Sequence, residues 1–230
     1  MNGALDTVEI MPAIAIVGGH GKISRRLIPL LVGSGDSPVA LIRDPRQAED
    51  LTPLGAETRI LDIEAAGVED FTRAFAGCDA VVFAAGGGPD GNIDRKRTVD
   101  LEGSLKSIEA AEQSRIRRFV QVSAIGVDAD PPPDSAAAWK AYVAAKRDAD
   151  AALRASSLRW TVIRPGTLSD EPATGRVTLA PTTPHGTIPR ADVAAVLAAV
   201  LHDNRTAGRQ WELIGGSTPI DEAVTAAVRP

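Results

Sequence analysis

Only one cysteine, Cys78, occurs in the 230 residues, so no internal disulfide can form and no cysteine cluster exists for a metal. Positive charge is also in short supply. The 25 lysines and arginines against 30 acidic residues leave a net charge of -5, which gives no electrostatic reason to expect nucleic acid or an anionic membrane as a partner. Long hydrophobic runs are missing: stretches such as AAVLAAVL at 194–201 fall far short of the roughly 20 residues that span a bilayer. The opening MNGALDTVEIMPA carries Asp6 and Glu9 where a secretory signal needs a basic start and then an apolar run. A cytoplasmic protein acting on a small molecule, as a monomer or small homo-oligomer, is the expectation. Aromatic residues are rare as well, and tyrosine occurs once, at Tyr142, so any chemistry that needs a phenol has a single candidate.

What is present is an alternation of strand-like and helical stretches. AIAIVGG (13–19) is short, branched and stopped by glycines, as a buried strand should be. In the helix that follows (22–35), Ile23, Leu27, Leu30 and Leu31 fall at helical spacing. The pattern continues with a strand at 38–43, a helix near 46–53, a strand at 58–63 and a helix over VEDFTRAFAG. The strand DAVVFAAGGG (79–88), a long amphipathic helix at 94–114 and the strand RFVQVSAIG (118–126) come next. A helix at 136–156, the strand RWTVIRPG (159–166), a looser Pro/Thr/Gly stretch at 169–189, a helix at 190–203, a strand at 209–216 and a helix at 219–228 complete the chain. Strands apolar throughout, alternating with helices, predict an α/β fold: a mostly parallel sheet covered by helices on both faces. No linker or internal repeat interrupts residues 1–230, so a single domain is expected, with about 165–190 as a short substrate-side lid.

The segment IVGGHGKIS (16–24) joins the first strand to the first helix. Gly18 and Gly21 are three apart, Gly19-His20-Gly21 begins a G-x-G-x-x-G pattern, and Ser24 stands where the last small residue would fall. Glycine suits a turn whose backbone closes on a pyrophosphate, and the helix N-terminus adds free N–H groups and a positive dipole end. At the tip of the second strand stands Arg43 rather than an acidic residue. A guanidinium matches the 2′-phosphate of NADP, so NADP(H) is favoured and NAD(H) possible; a solvated strand end is the plainer alternative. Asp44 could accept from a ribose or begin the next helix. Finally, Lys146 follows Tyr142 by four residues, one face of a helix, so the phenol and ammonium can converge.

In chain order, VGGHGKIS, LIRDP, LDIE, CDAVVFAAGGG, RFVQVSAIG, YVAAK, VIRPG, RADVAAVLAAVL and WELIGG resemble the short-chain dehydrogenase/reductase superfamily. The resemblance is to its atypical NAD(P)H-binding branch, near the NmrA-like and biliverdin/flavin-reductase-like proteins, and it covers nearly the whole chain. It implies a Rossmann-type doubly wound fold with a small C-terminal substrate-side region. Gly18, Gly19, His20, Gly21, Lys22 and Ile23 would wrap the pyrophosphate, with Arg43 on the adenosine-side phosphate and Asp62 and Ile63 flanking the adenine. Ala84, Ala85 and Gly86 would lie along the ribose and nicotinamide, and Pro165, Gly166 and Thr167 would close over the nicotinamide. Ser123 would sit beside the reacting carbonyl, Tyr142 would donate the proton, and Lys146 would hold the nicotinamide ribose and stabilise the phenolate. Where better-known members place a helix asparagine that holds a relay water, this chain has Asp100.

The resemblance therefore implies an NADPH-dependent reductase of a small carbonyl, quinone or flavin-like acceptor. The alternative is a non-catalytic NAD(P)H-binding redox sensor or assembly factor of the NmrA-like kind. Simpler roles remain open for several positions: a strand or helix cap for Asp62, close packing for the Ala/Gly run, a strand-end hydroxyl for Ser123 and a tight turn for Arg164-Pro165-Gly166. Cys78 is expected buried, and Trp160 and Trp211 in the core. Trp139 is expected in the core or over the substrate pocket, and His185 on a surface loop or the lid.

Overall fold

The computed structural model describes residues 12–88 and 91–229; Asp6 and Glu9 lie outside them. The first strand, β1 (Ala13–Val17), leads into α1 (Ser24–Gly33) and β2 (Ser37–Ile42). After the short helix α2 (Ala48–Leu51) come β3 (Glu57–Ile60), α3 (Val68–Ala74) and β4 (Ala80–Phe83). One turn, α4 (Ile93–Arg95), passes through π-helical turns (Lys96–Glu102) into α5 (Gly103–Gln113), followed by β5 (Arg118–Val122). The long α6 (Ala137–Ala155) precedes β6 (Arg159–Pro165), β7 (Thr167–Ser169), β8 (Arg176–Ala180) and β9 (Thr187–Pro189). Then come α7 (Arg190–His202), β10 (Arg209–Gly215), β11 (Thr218–Pro219) and α8 (Ile220–Ala227).

The nine-stranded sheet runs β11-β8-β10-β6-β5-β4-β1-β2-β3. Strand order reverses between β1 and its neighbours β2 and β4, both parallel to it, and ligands of such sheets bind beyond the strand C-termini at that point. Alternate side chains of β1 feed two cores. Ile14 and Ile16 join the helices α1, α7 and α8 on one face, while Ala15 and Val17 join Phe71, Phe83, Phe119 and Leu153 on the other. Burial on both faces is why the strand is apolar throughout.

Several boundaries differ from the sequence pattern. The expected single helix at 94–114 is divided: seven residues take the wider π geometry, which turns Lys96 and Asp100 inward, and both are buried. In α1 the buried apolar residues are Leu27, Ile28 and Leu31, while Leu30 faces out. The stretch at 169–189 is more regular than its composition implies. Strand β8 pairs antiparallel with β10 and extends the main sheet, and β7 pairs with β9 as a separate parallel ribbon. No helix among the described residues is long and apolar enough to cross a membrane.

Candidate active site

A cleft of about 1130 Å³ opens along the C-terminal ends of β1, β2, β4, β5 and β6. Its floor is the turn after β1. Gly18 adopts φ +83, and a Cβ there would stand 2.8 Å from the backbone of Ala85, so only glycine lets the β1 and β4 turns approach. The Gly18 carbonyl accepts from the amide of Gly21 at 2.9 Å and from the buried Ser24 hydroxyl at 2.8 Å. Ser24 thus clamps the loop from the small-residue position of the motif. Among the described residues the backbone N–H groups of His20, Lys22 and Ile23 find no backbone acceptor, and α1 begins directly behind them. Free amides at a helix N-terminus, in a turn too tight for side chains, fit a dinucleotide pyrophosphate. Gly19 is different. It does not line the cleft; its hydrogen faces Ala40, and its amide donates to Leu41 O at 3.0 Å. It is glycine for packing on β2.

Farther out, Arg43 is exposed on the cleft wall. Asp44 instead caps the next turn, accepting from the Arg46 amide at 3.0 Å and pairing with its guanidinium. Those bonds hold its carboxyl down at about 2. Of the two readings open for Asp44, the helix start is the one observed. Asp62 accepts from the Glu64 amide at 3.0 Å and lines the cleft with Ile63. At the mouth, Asp170, directly after β7, gathers cations from three places: Lys22 Nζ at 2.6 Å, Arg190 at 3.0 Å and Arg26 at 3.5 Å. Its hydrogen bond with Lys22 and the nearby Arg190 outweigh its slight desolvation and depress its pKa, so the clasp persists at neutral pH. Asp170 competes for the Lys22 ammonium with any phosphate in the loop. Asp170→Asn is expected to tighten NAD(P)H binding roughly two- to fivefold, as for an exposed ion pair, measured by calorimetry at low ionic strength.

The opposite wall comes from α6, where Tyr142, Lys146 and Asp150 lie four residues apart. Lys146 is buried, 3.1 Å from the buried Asp100 carboxylate, and its remaining N–H groups face Val122 O at 3.2 Å and Ala85 O at 3.5 Å. Two carbonyls thus accept from the ammonium and Asp100 supplies its counter-charge. Asp100 also accepts from the Gly87 amide at 2.9 Å. Burial pulls the Lys146 pKa down, but Asp100, then Tyr142 and Asp150, more than offset it, and the net shift is upward. Tyr142 stacks on Trp139, ring centroids 5.5 Å apart, with Lys146 Nζ 5.9 Å from its ring centroid. Burial raises the Tyr142 pKa; Lys146 lowers it, while Asp100 and Asp150 raise it further. The net result is a phenol held neutral more firmly than usual.

Ser123 directly follows β5, and its hydroxyl donates to Asp150 at 2.8 Å. Asp150 also accepts from Gln121 at 2.7 Å and from Arg164 Nε at 2.9 Å, and Arg164 in turn binds Asp128. Pro165, Gly166 and Thr167 complete the rim. A Cβ on Gly166 would lie 2.2 Å from the Gly186 carbonyl, so close approach of the residue before β9 explains that glycine. Trp139 is half exposed and His185 exposed, both on the cleft wall, and Cys78 is buried. The Asp150–Arg164–Asp128 network escaped the sequence reading; the 142-146-150 spacing on one helix face was its one visible signal.

A nucleotide cradle at the strand-order reversal, facing a Tyr–Lys pair, is the arrangement found in dinucleotide enzymes. Residues 18–204 match the NAD(P)H-binding family. The chain belongs to that family. It is an atypical short-chain dehydrogenase/reductase with an NAD(P)-binding Rossmann fold. Over 212 residues it is 39% identical to the uncharacterized sugar epimerase YhfK of Bacillus subtilis (strain 168), covering 92% of this chain and 98% of that one. A solved structure assigned to the NAD-dependent epimerases/dehydratases, from Bacillus halodurans, superposes with a TM-score of 0.87 at 38% identity, over 94% of this chain and 99% of the other. The oxidoreductase ylbE from Lactococcus lactis gives 0.81 at 26%, over 93% and 95%.

Proposed function

We propose that this family member is an NADPH-dependent reductase of a small carbonyl, quinone or flavin-like acceptor, with Tyr142 as the proton donor. The observation that carries the reading is the Tyr142 position. Its ring lies on the wall of the nucleotide cleft, 5.9 Å from an ammonium that is itself locked to the β4 and β5 turns. NADPH, when bound, supplies the hydride. The chain supplies the rest: the 18–23 turn and α1 hold the phosphates, and Lys146 fixes the polarity around the phenol. Asp150 orients Ser123, whose proton must turn away from that carboxylate to meet a substrate oxygen; Gln121 and Arg164 stay on Asp150 when it does. The short cover from β7 to β9 suits a small acceptor better than a nucleotide-sugar.

Arg43 supports the phosphorylated cofactor. Arg43→Ala is expected to weaken NADPH binding roughly ten- to hundredfold, as for a lost charge-assisted hydrogen bond, with NADH binding nearly unchanged; equal losses for both would remove Arg43 from the 2′-phosphate.

The second reading, a redox sensor, draws on the neutralised Lys146 and the raised Tyr142 pKa, both of which weaken an acid catalyst. One experiment separates the two. NADPH consumption is followed against quinones, aldehydes and flavins, beside NADPH-dependent thermal stabilisation. Consumption with one class supports the reductase; stabilisation with no consumption across the panel supports the sensor.

A further inference from the structure

Two ammonium groups approach the Tyr142 ring, and among the described residues only one of them has a counter-charge. Lys146 is paired with Asp100. Lys96, in the first π-helical turn, is 6% exposed, lines the cleft, and sits 5.8 Å from the Tyr142 ring centroid. Its Nζ donates to the Gly88 carbonyl, and among the described residues no carboxylate lies within ion-pair distance of it. The neighbouring cations are accounted for: Arg95 pairs with Glu64 and Arg190 with Asp170. Of the carboxylates nearest the site, Asp100 is taken by Lys146 and Asp150 by Arg164. An ammonium has three donors to satisfy, and a buried cation without a partner is a destabilising feature. In a chain of net charge -5, the described residues nevertheless give this positive charge no counter-charge where the substrate of Tyr142 must sit. Beside it, the half-exposed Trp139 continues the stack on Tyr142 and gives a flat apolar wall.

We propose that Lys96 is the anion-binding residue of the substrate site, and that the acceptor is a planar carbonyl compound bearing a negatively charged oxygen next to the reducible carbonyl. The assignment rests on the reductase reading for the chemistry, but its binding component does not. On reduction the carbonyl carbon gains the hydride and its oxygen gains the Tyr142 proton; the anionic group is unchanged and stays on Lys96.

The test uses matched probes differing in charge: benzoylformate against its methyl ester, and the anionic hydroxynaphthoquinone lawsone against neutral menadione. Binding to the NADP⁺ complex is followed by thermal shift, and turnover with NADPH is measured in parallel. Wild type is expected to bind the anionic member of at least one pair roughly tenfold more tightly, the value of one charged hydrogen bond. Lys96→Met should abolish that preference and melt no lower than wild type, since it removes an unpaired buried charge; Lys96→Arg should keep most of the preference. If the preference is absent in wild type for both pairs, or survives in Lys96→Met, the proposal is overturned. Lys96-dependent anion binding without turnover of any probe upholds the site and counts against the reductase reading.

Discussion

Tyr142→Phe is expected to lower turnover of the acceptor by roughly 10²- to 10⁴-fold, the usual worth of a positioned general acid, with NADPH affinity essentially unchanged. The phenylalanine ring keeps the stack on Trp139 and removes only the hydroxyl, so a loss of activity cannot be charged to packing. Direction matters here. Burial and the two aspartates hold the phenol above its ordinary value of 10.0 against the pull of Lys146, so the protonated form persists through neutral and mildly alkaline pH. Reduction needs that form, and its rate should stay level until pH rises beyond the ordinary tyrosine value. The reverse oxidation needs the phenolate and should be slow at neutrality, rising with pH. The same shift has a stability counterpart. A phenol with a raised folded-state pKa contributes stability that is intact below the unfolded value and is lost as pH climbs through the folded one. Rate–pH profiles in both directions check the assignment, and unchanged turnover in the phenylalanine variant would sink it.

Which parts of this site were legible from sequence follows from how far apart its members lie. Gly18, Gly21 and Ser24 are local: a turn and a helix start within seven residues, and the pattern is visible because the geometry is. Tyr142 and Lys146 share a helix face, so their spacing survives without a structure. Arg43 and Asp44 were separable only once the capping bond from the Arg46 amide could be seen. Gly19 looks like a ligand-binding glycine in a string of letters, yet Ala40 explains it, whereas Gly166 lines the cleft and is held to glycine by Gly186. The π-helical turns were invisible because their apolar spacing differs little from that of an α-helix over seven residues. That one irregularity brings in Lys96 and Asp100. The Ser123–Asp150–Arg164–Asp128 chain joins residues 14 to 36 positions apart, and no local pattern records such pairings. Strand β8 was hidden in a Pro/Thr/Gly-rich stretch because it borrows its order from β10.

Asp100→Asn carries the largest expected effect on stability, because the aspartate has two duties that an amide cannot combine. One oxygen accepts the Gly87 amide at 2.9 Å and the other faces Lys146 at 3.1 Å. In the asparagine variant one of those directions must be met by an NH₂ group, donor against donor. The buried ammonium also loses its counter-charge. Breaking a buried pair from one side typically costs about 3–5 kcal/mol, and a loss near the lower end is expected, since Val122 and Ala85 still accept from Lys146. The sign of the pH dependence is also set. With Asp100 present, the folded-state pKa of Lys146 is above its ordinary 10.5, so its contribution is full below that value and is lost as pH rises through the folded one. Without Asp100, burial dominates and depresses that pKa, so stability is recovered as the lysine becomes neutral. The deficit between variant and wild type should therefore narrow as the medium turns alkaline. At the same time Tyr142 loses a charge that raised its pKa. As Lys146 becomes neutral the phenol also loses the charge that lowered its pKa, so the alkaline limb of the reduction profile should not move to lower pH. Chemical denaturation at neutral and alkaline pH, beside a rate–pH profile, reads both effects. A variant as stable as wild type at neutral pH, or a limb moved to lower pH, would show that Lys146 holds its charge without Asp100.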